Sequence, residues 1–357
     1  MAEPSAGALA GLRVIDMSSL YAAPLAASIL ADFGADVVKV EPPEGDGFRG
    51  TKMWPLVARG KRCTALDLRS PEGILAFKQL AEQADVIVEN YPPEVLVKRG
   101  LGWDVLTALN PRLIVLSVSC FGGNGPYAGR PGSGTIGEGF GGLTHLTGDA
   151  DGAPMLPSVA LGDAVGAMSA VIGVLSALVW RQRSGRGQRI DASLYEPVLQ
   201  IAVHAAQRWS PGQAPARNGS RLPGVLRNVY RAADGRYVAI SASTARHQAD
   251  LVALAGGAEP DGEDAAVAAF IARRPQKEII AELVSRRIPV TPVNDFEDML
   301  TDPQFTVRQS LRRMNDTELG DLLLAAPAPH LSATPGQIGA INPQLEDFAA
   351  ILAGWAR

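Results

Sequence analysis

The run Leu12-Arg-Val-Ile-Asp-Met17 and the run Asp36-Val-Val-Lys-Val-Glu41 flank an Ala- and Leu-rich stretch, Ala22–Phe33, that closes near Gly34. Two short apolar runs around a stretch of helical spacing predict a strand–helix–strand unit. The alternation continues outward. Arg62–Leu68 reads as a third strand. Pro71–Gln83 reads as a helix, with Ile74, Leu75, Phe77, Leu80 and Ala81 on its apolar positions and a proline in its first turn. Asp85–Val88 and Leu113–Val118 read as two more strands, with a helix over Val95–Leu109 between them. Strands alternating with helices predict an α/β fold built on a doubly wound, mostly parallel sheet with right-handed crossovers. Such sheets take ligands in the crevice beyond the carboxyl ends of their strands. Those ends fall near Ser18–Pro24, Glu41–Arg49, Leu66–Arg69, Asn90–Pro93 and Ser117–Pro126.

The 357 residues carry 33 Lys+Arg against 37 Asp+Glu, a net charge of −4, with 46% hydrophobic residues, the balance of a packed globular chain. This length suggests two domains, or one large domain with a smaller companion. A slightly acidic chain with no long basic run argues against nucleic acid as a partner. The two cysteines, Cys63 and Cys120, are too few for a disulfide framework and fit a reducing cytosol. Met1–Ala10 has neither a positive start nor an apolar core, so no secretory signal is expected and the location reads as cytoplasmic. Ala164–Trp180 is uncharged but short of the ~20 residues a bilayer needs. It follows Asp163 directly and reads as a buried globular helix, with no membrane partner.

Beyond the fifth strand, the glycine-rich segment 122–142 reads as a long loop over the active face. Arg181–Arg189 reads as a basic turn, and Ile190–Ala206 as a short strand running into a helix. Pro211–Gly224, rich in Pro, Gly and polar residues, marks a domain boundary. A hairpin over residues 229–241 follows, then helices to about Ser310. Leu322–Arg357 reads as an extended strap ending in a short helix.

Several chemistries are missing. No G-x-G-x-x-G follows the first strand, which argues against a dinucleotide cofactor despite Glu41 at the end of the second strand. There is no Walker loop and no G-x-S-x-G elbow. His145, His204, His247 and His330 lack metal-ligand spacing, so no metal is expected, and both cysteines lie in or beside strands. Asp163, in Leu161-Gly-Asp-Ala-Val-Gly166 at the start of the buried helix, has two readings. It is either an N-cap accepting the first free amides or an ionised, approachable carboxylate able to attack an acyl carbon. Spacing alone does not separate them.

Beyond these features, Gly11-Leu-Arg-Val-Ile-Asp16, Leu30-Ala-Asp-Phe-Gly-Ala-Asp-Val-Val-Lys-Val-Glu-Pro42 and Gly45-Asp-Gly-Phe-Arg49 resemble the family III CoA-transferases, the CaiB/BaiF family. So do Asp85-Val-Ile-Val-Glu-Asn-Tyr91, Asn110-Pro-Arg-Leu-Ile114, Phe121-Gly-Gly-Asn-Gly-Pro-Tyr127, Gly162-Asp163 and Ser184-Gly-Arg-Gly-Gln188. Ala233-Asp-Gly235, Ile288-Pro289, Pro292-Val-Asn294, Asp302-Pro303 and Pro329-His-Leu-Ser332 continue the series in family order.

The resemblance implies an interlocked homodimer. Its large α/β CoA-binding domain comprises residues 1–210, a smaller α+β domain at 225–310 is inserted, and the strap at 311–357 returns to the large domain. It also implies acyl-CoA:carboxylate CoA transfer with no permanently bound cofactor, coenzyme A and acyl-CoA being substrates alongside a small carboxylic acid. Asp163 takes the nucleophile's place and would form a mixed anhydride and then an enzyme thioester, without ATP. Backbone amides of a glycine-containing loop would stabilise the oxyanion. Coenzyme A contacts fall on Tyr21 and Ala22, on Leu66, Asp67, Leu68 and Arg69, and on Asn90, Tyr91 and Pro92. Lys98, with Arg99 beside it, and Arg49 would meet the phosphates; the alternatives are a solvated helix face and a surface-loop charge.

Two departures bear on the reaction. Ser133 stands where the related racemases place a histidine, so a two-base proton relay lacks a base. Tyr21 replaces the glutamine of formyl-CoA transferases, and Pro131-Gly-Ser-Gly134 replaces their Lys-x-Tyr-Glu, which speaks against a formyl or oxalyl substrate. Two alternatives stay open: a racemase or isomerase with Asp163 as base, and a non-catalytic CoA-binding homologue.

Overall fold

The computed structural model describes residues 7–257 and 262–356. Its contacts divide the chain into two units. One holds the described residues of Met1–Leu143, Leu156–Gln207 and Val307–Arg357, and the other holds Thr144–Met155 and Arg208–Thr306.

The chain begins with β1 (Arg13–Asp16), α1 (Ala22–Asp32), β2 (Asp36–Glu41), α2 (Trp54–Ala58) and β3 (Arg62–Ala65). There follow α3 (Pro71–Gln83), β4 (Val86–Glu89), α4 (Pro93–Lys98), α5 (Trp103–Leu109) and β5 (Ile114–Ser119). Next come α6 (Gly134–Phe140), α7 (Leu143–Leu146), α8 (Leu161–Ser184), β6 (Arg189–Ser193) and α9 (Tyr195–Ala206). The six strands form one sheet in the order β3-β2-β1-β4-β5-β6. Every neighbouring pair is parallel, as expected from the sequence. The strand order reverses between β1 and β4, which places a ligand crevice at their carboxyl ends.

Period-2 alternation sends successive residues to opposite faces. Val14, Val37, Val86, Ile114 and Leu116 pack with α1 and α8. Ile15, Val38, Ile87 and Val115 pack on the other face with α3, α4 and α5 residues such as Phe77, Leu96 and Leu106. Burial on both faces is why apolar residues stand side by side in these strands, as in Val14-Ile15, Val37-Val38, Val86-Ile87 and Ile114-Val115-Leu116.

Several elements differ from the sequence reading. The helix expected over Val95–Leu109 is two helices, because Gly100 takes φ +66° and breaks it. The segment 122–142 is not loop throughout, since its second half folds as α6. The helix expected to be buried over Asp163–Trp180 runs over 24 residues, is capped by Gly185 at φ +71°, and is buried on one face only, Met168, Ile172 and Trp180 being exposed. By length and composition it is long enough to cross a bilayer. Here one face, including Gly166, Ala167, Ala170, Val174 and Ala177, lies in the core.

The second unit carries β7 (Leu226–Arg231), β8 (Tyr237–Ala242), α10 (Ala245–Leu254), α11 (Glu263–Ile271), α12 (Gln276–Ser285), β9 (Val290–Pro292) and α13 (Phe296–Thr301). The expected hairpin is β7–β8, and β9, read as part of a helical region, adds a third antiparallel strand. The chain ends with α14 (Pro303–Arg308), β10 (Leu311–Asp316), β11 (Gly320–Ala325) and α15 (Phe348–Trp355). The strap expected from Leu322 begins inside the β10–β11 hairpin. Its later part runs beside β3, where Glu346 donates its amide to the Cys63 carbonyl at 2.7 Å. Trp355 is buried with Ile351 under the sheet, and its indole N–H donates to Asp36 Oδ2 at 2.6 Å.

Candidate active site

A cleft of about 450 Å³ opens at the carboxyl ends of β1, β4 and β5. Its rim is set by a buried ionic cluster. Asp16, at the end of β1, accepts from Lys61 at 2.7 Å and from the Ser18 hydroxyl at 2.5 Å. Lys39 donates to the Ser18 carbonyl at 2.9 Å and pairs with Asp46 at 3.0 Å, while Lys61 also donates to the Pro24 carbonyl at 2.8 Å. Burial raises the Asp16 carboxyl, but the two ammonium groups and these hydrogen bonds outweigh it and hold the group below its ordinary value. Burial, only partly offset by Asp16, pushes Lys61 down to about 8.

The loop so anchored carries Leu20 at φ +66°, a left-handed conformation rare for a bulky side chain, and then Tyr21. Tyr21 and Ala22 line the cleft, together with Asn90, Tyr91, Pro92 and Asp163. Asn90 is placed there by the turn after β4, but its carboxamide is engaged by the Ser19 backbone on both ends.

Asp163 is not an N-cap. The cap is Ala160, which contributes no side-chain bond, and Asp163 is the third residue of α8. Its half-buried carboxylate accepts the Gly134 amide, the first of α6. Burial lifts this carboxyl above its ordinary value, Gly134 opposes the shift, and the charge of Glu138 adds to it. The approach of α6 to α8 requires glycine on both sides. A Cβ on Gly134 would overlap the Asp163 carboxylate, and one on Gly162 would overlap the Gly134 backbone. Across the cleft, burial also raises the Tyr21 hydroxyl and the Cys120 thiol, with the Asp163 charge contributing to both. Cys120 reaches the Ser133 carbonyl at 3.6 Å.

The remaining expected contacts fall elsewhere. Leu66, Asp67, Leu68 and Arg69 line a second, smaller pocket of about 190 Å³ with Glu41, Glu44 and Arg99. Tyr91 lines both pockets. Arg69 pairs with Asp67 at 2.7 Å and with Glu44 at 3.3 Å. Lys98 lines neither pocket and is exposed, whereas Arg99 lies in the second pocket with its guanidinium 5.4 Å from the Tyr91 ring centre. Arg49 is engaged within the protein. It pairs with Glu41, donates to the Pro343 carbonyl at 2.9 Å and stacks over Trp54 at 4.5 Å.

Glu138 escaped the sequence reading. Its one signal is that it is the sole carboxylate between Gly122 and Gly142. Arg130 and Arg189 also line the cleft unforeseen, and among the described lining residues there is no histidine.

The family model described as CoA-transferase family III matches residues 9–347. A succinyl-CoA–D-citramalate CoA-transferase of Chloroflexus aurantiacus is 36% identical, over 94% of this chain and 90% of its own. A succinate–glutarate CoA-transferase of Agrobacterium fabrum is 33% identical, over 96% of this chain and 94% of its own. A crystal structure of a CaiB/BaiF family protein from Brucella suis superposes with a TM-score of 0.85 at 30% identity, covering 99% of this chain and 100% of that one.

Proposed function

The chain belongs to CoA-transferase family III, and from that premise we propose that it moves coenzyme A between succinyl-CoA and a second small dicarboxylic acid through a covalent Asp163 intermediate. The observation that carries the reading is the Asp163 carboxylate. It is half-buried in the cleft, accepts one backbone amide, and is raised by burial above its ordinary value. The acids are suggested by relatives named for succinyl-CoA, citramalate, succinate and glutarate.

In this reading an Asp163 oxygen adds to the thioester carbon, the C–S bond breaks, and coenzyme A leaves as thiolate with the negative charge. The thiolate then attacks the aspartyl carbonyl of the anhydride, releasing the first acid as carboxylate and leaving an aspartyl thioester. The second acid repeats the two steps in reverse. Thioester and anhydride have similar acyl-transfer potential, so no ATP is consumed. Backbone amides around Ser133 support the oxyanion. Arg69 and Arg99 meet the phosphates, and the pantetheine arm passes Tyr91 into the cleft. A racemase is disfavoured, because Ser133 and the other described lining residues supply no histidine as second base.

We also propose that residues 1–210 bind coenzyme A, that 225–310 form the small domain, and that 311–357 return as the strap. An interlocked homodimer is supported by the apolar side chains α8 leaves exposed, Met168, Ile172, Leu175, Val179 and Trp180. A cytosolic location suits two buried free thiols. The test of the central reading is to mix the protein with succinyl-CoA and digest it after hydroxylamine treatment. A hydroxamate on Asp163, found by mass spectrometry, is the expected product. CoA exchange with that residue unmodified would overturn the covalent mechanism.

A further inference from the structure

A buried carboxylate stands beside the candidate nucleophile with no part in the steps above. Glu138, on α6, is 1% exposed, and its Oε1 accepts the Gly162 amide at 2.7 Å. That amide is the second of α8, one of the N–H groups a helix start leaves without an internal partner. Together these groups give a helix start roughly half a positive charge. Asp163, one residue further on, sits in that field. A carboxylate stabilised by a helix start and several amides becomes a weaker base and a weaker nucleophile.

We propose that Glu138 is a positioning residue for CoA transfer: its buried charge answers the positive start of α8 and pins that start against α6, which leaves Asp163 basic enough to attack a thioester. The role rests on the reading of Asp163 as nucleophile. In the step it serves, an Asp163 electron pair forms the C–O bond, the C–S bond breaks, and the charge departs on the CoA thiolate.

The titratable groups facing Asp163 are consistent with this. They are Tyr21 from the loop after β1, Cys120 after β5 and Glu138 from α6, and none is a cation. Elsewhere in the cleft, Arg130 stacks on the Tyr127 ring at 3.9 Å, and Arg189 shares its wall with Glu89 and Asp191. The basicity of Asp163 is therefore set by its burial, the α8 start, the Gly134 amide and Glu138.

Glu138→Gln keeps the volume and an oxygen for the Gly162 amide and removes the charge. Its acid limb of kcat/KM should move down by about half to one pH unit. Its first-turnover release of CoA from succinyl-CoA should slow about tenfold, with KM within about twofold of wild type. Glu138→Asp keeps the charge and should keep the wild-type acid limb even where its rate falls. A Glu138→Gln protein that loses only melting temperature, with limb and burst unmoved, overturns the proposal and makes Glu138 a structural cap. Should that variant not fold, carbon-13 titration of the wild-type Asp163 and Glu138 carboxyls decides. A Glu138 carboxyl found ionised across the Asp163 titration supports the role, and one that stays protonated through it refutes it. Absence of CoA release by the wild type with any acyl-CoA is a different failure. It removes the reading of Asp163, and this role with it.

Discussion

The carboxamide of Asn90 and the backbone of Ser19, 71 residues apart, form a reciprocal pair: Ser19 N–H donates to Oδ1 at 3.0 Å and Nδ2 donates to the Ser19 carbonyl at 2.8 Å. The pair fastens the turn after β4 to the loop after β1, next to Leu20 in its left-handed conformation. Asn90→Ala should cost about 1–2 kcal/mol, from two lost bonds and relief of little strain. Because Tyr21 loses its anchor, kcat/KM should fall about tenfold or more. Chemical denaturation and steady-state CoA transfer check the two effects, and unchanged kinetics with lowered stability would separate the pair from the site.

Lys98 and Arg99 are neighbours in sequence with different surroundings, only Arg99 lining the second pocket. Arg99→Ala should raise KM for acyl-CoA about tenfold, a loss of about 1.4 kcal/mol, with kcat nearly unchanged. Lys98→Ala should leave both constants near wild type. A dephospho-CoA substrate series would show which phosphate Arg99 meets.

Asp163→Asn should lower CoA transfer by ~10³-fold or more, as expected for a lost nucleophile. It should also raise the melting temperature at neutral pH. A carboxyl whose folded value lies above its unfolded value contributes stability below the unfolded value, and this is lost as pH rises through the folded value. The uncharged amide removes that loss. The difference in melting temperature between the two proteins should vanish as pH falls below the ordinary Asp range, and calorimetry across pH would follow it.

Trp355, in the last helix, is 1% exposed and donates to Asp36 of β2. Trp355→Ala should destabilise the protein by about 3–5 kcal/mol, and Trp355→Phe by about 1 kcal/mol for the lost hydrogen bond. Urea denaturation would distinguish the two. A small effect of Trp355→Ala would mean that the tail adds little to the large sheet.

The residue order alone determined the doubly wound, mostly parallel architecture and the edge of the sheet at which ligand residues gather. The sixth strand, Arg189–Ser193, was placed in the sheet only by the structure. Apolar runs buried on both faces, broken by helical spacing, leave few other packings, so Val14, Val37, Val86 and Ile114 were legible as core. Asp163 was legible as a carboxylate at a helix start, but neither its place as the third residue of α8 nor its backbone partner was. Tertiary structure alone decided that Arg49 is engaged by Glu41, that Arg99 and not Lys98 lines a pocket, and that Glu138 takes an α8 amide. The physical reason is the same in each case. A local pattern records which face a residue presents, whereas the partner that completes its charge or hydrogen bond arrives from a distant segment only when the layers close.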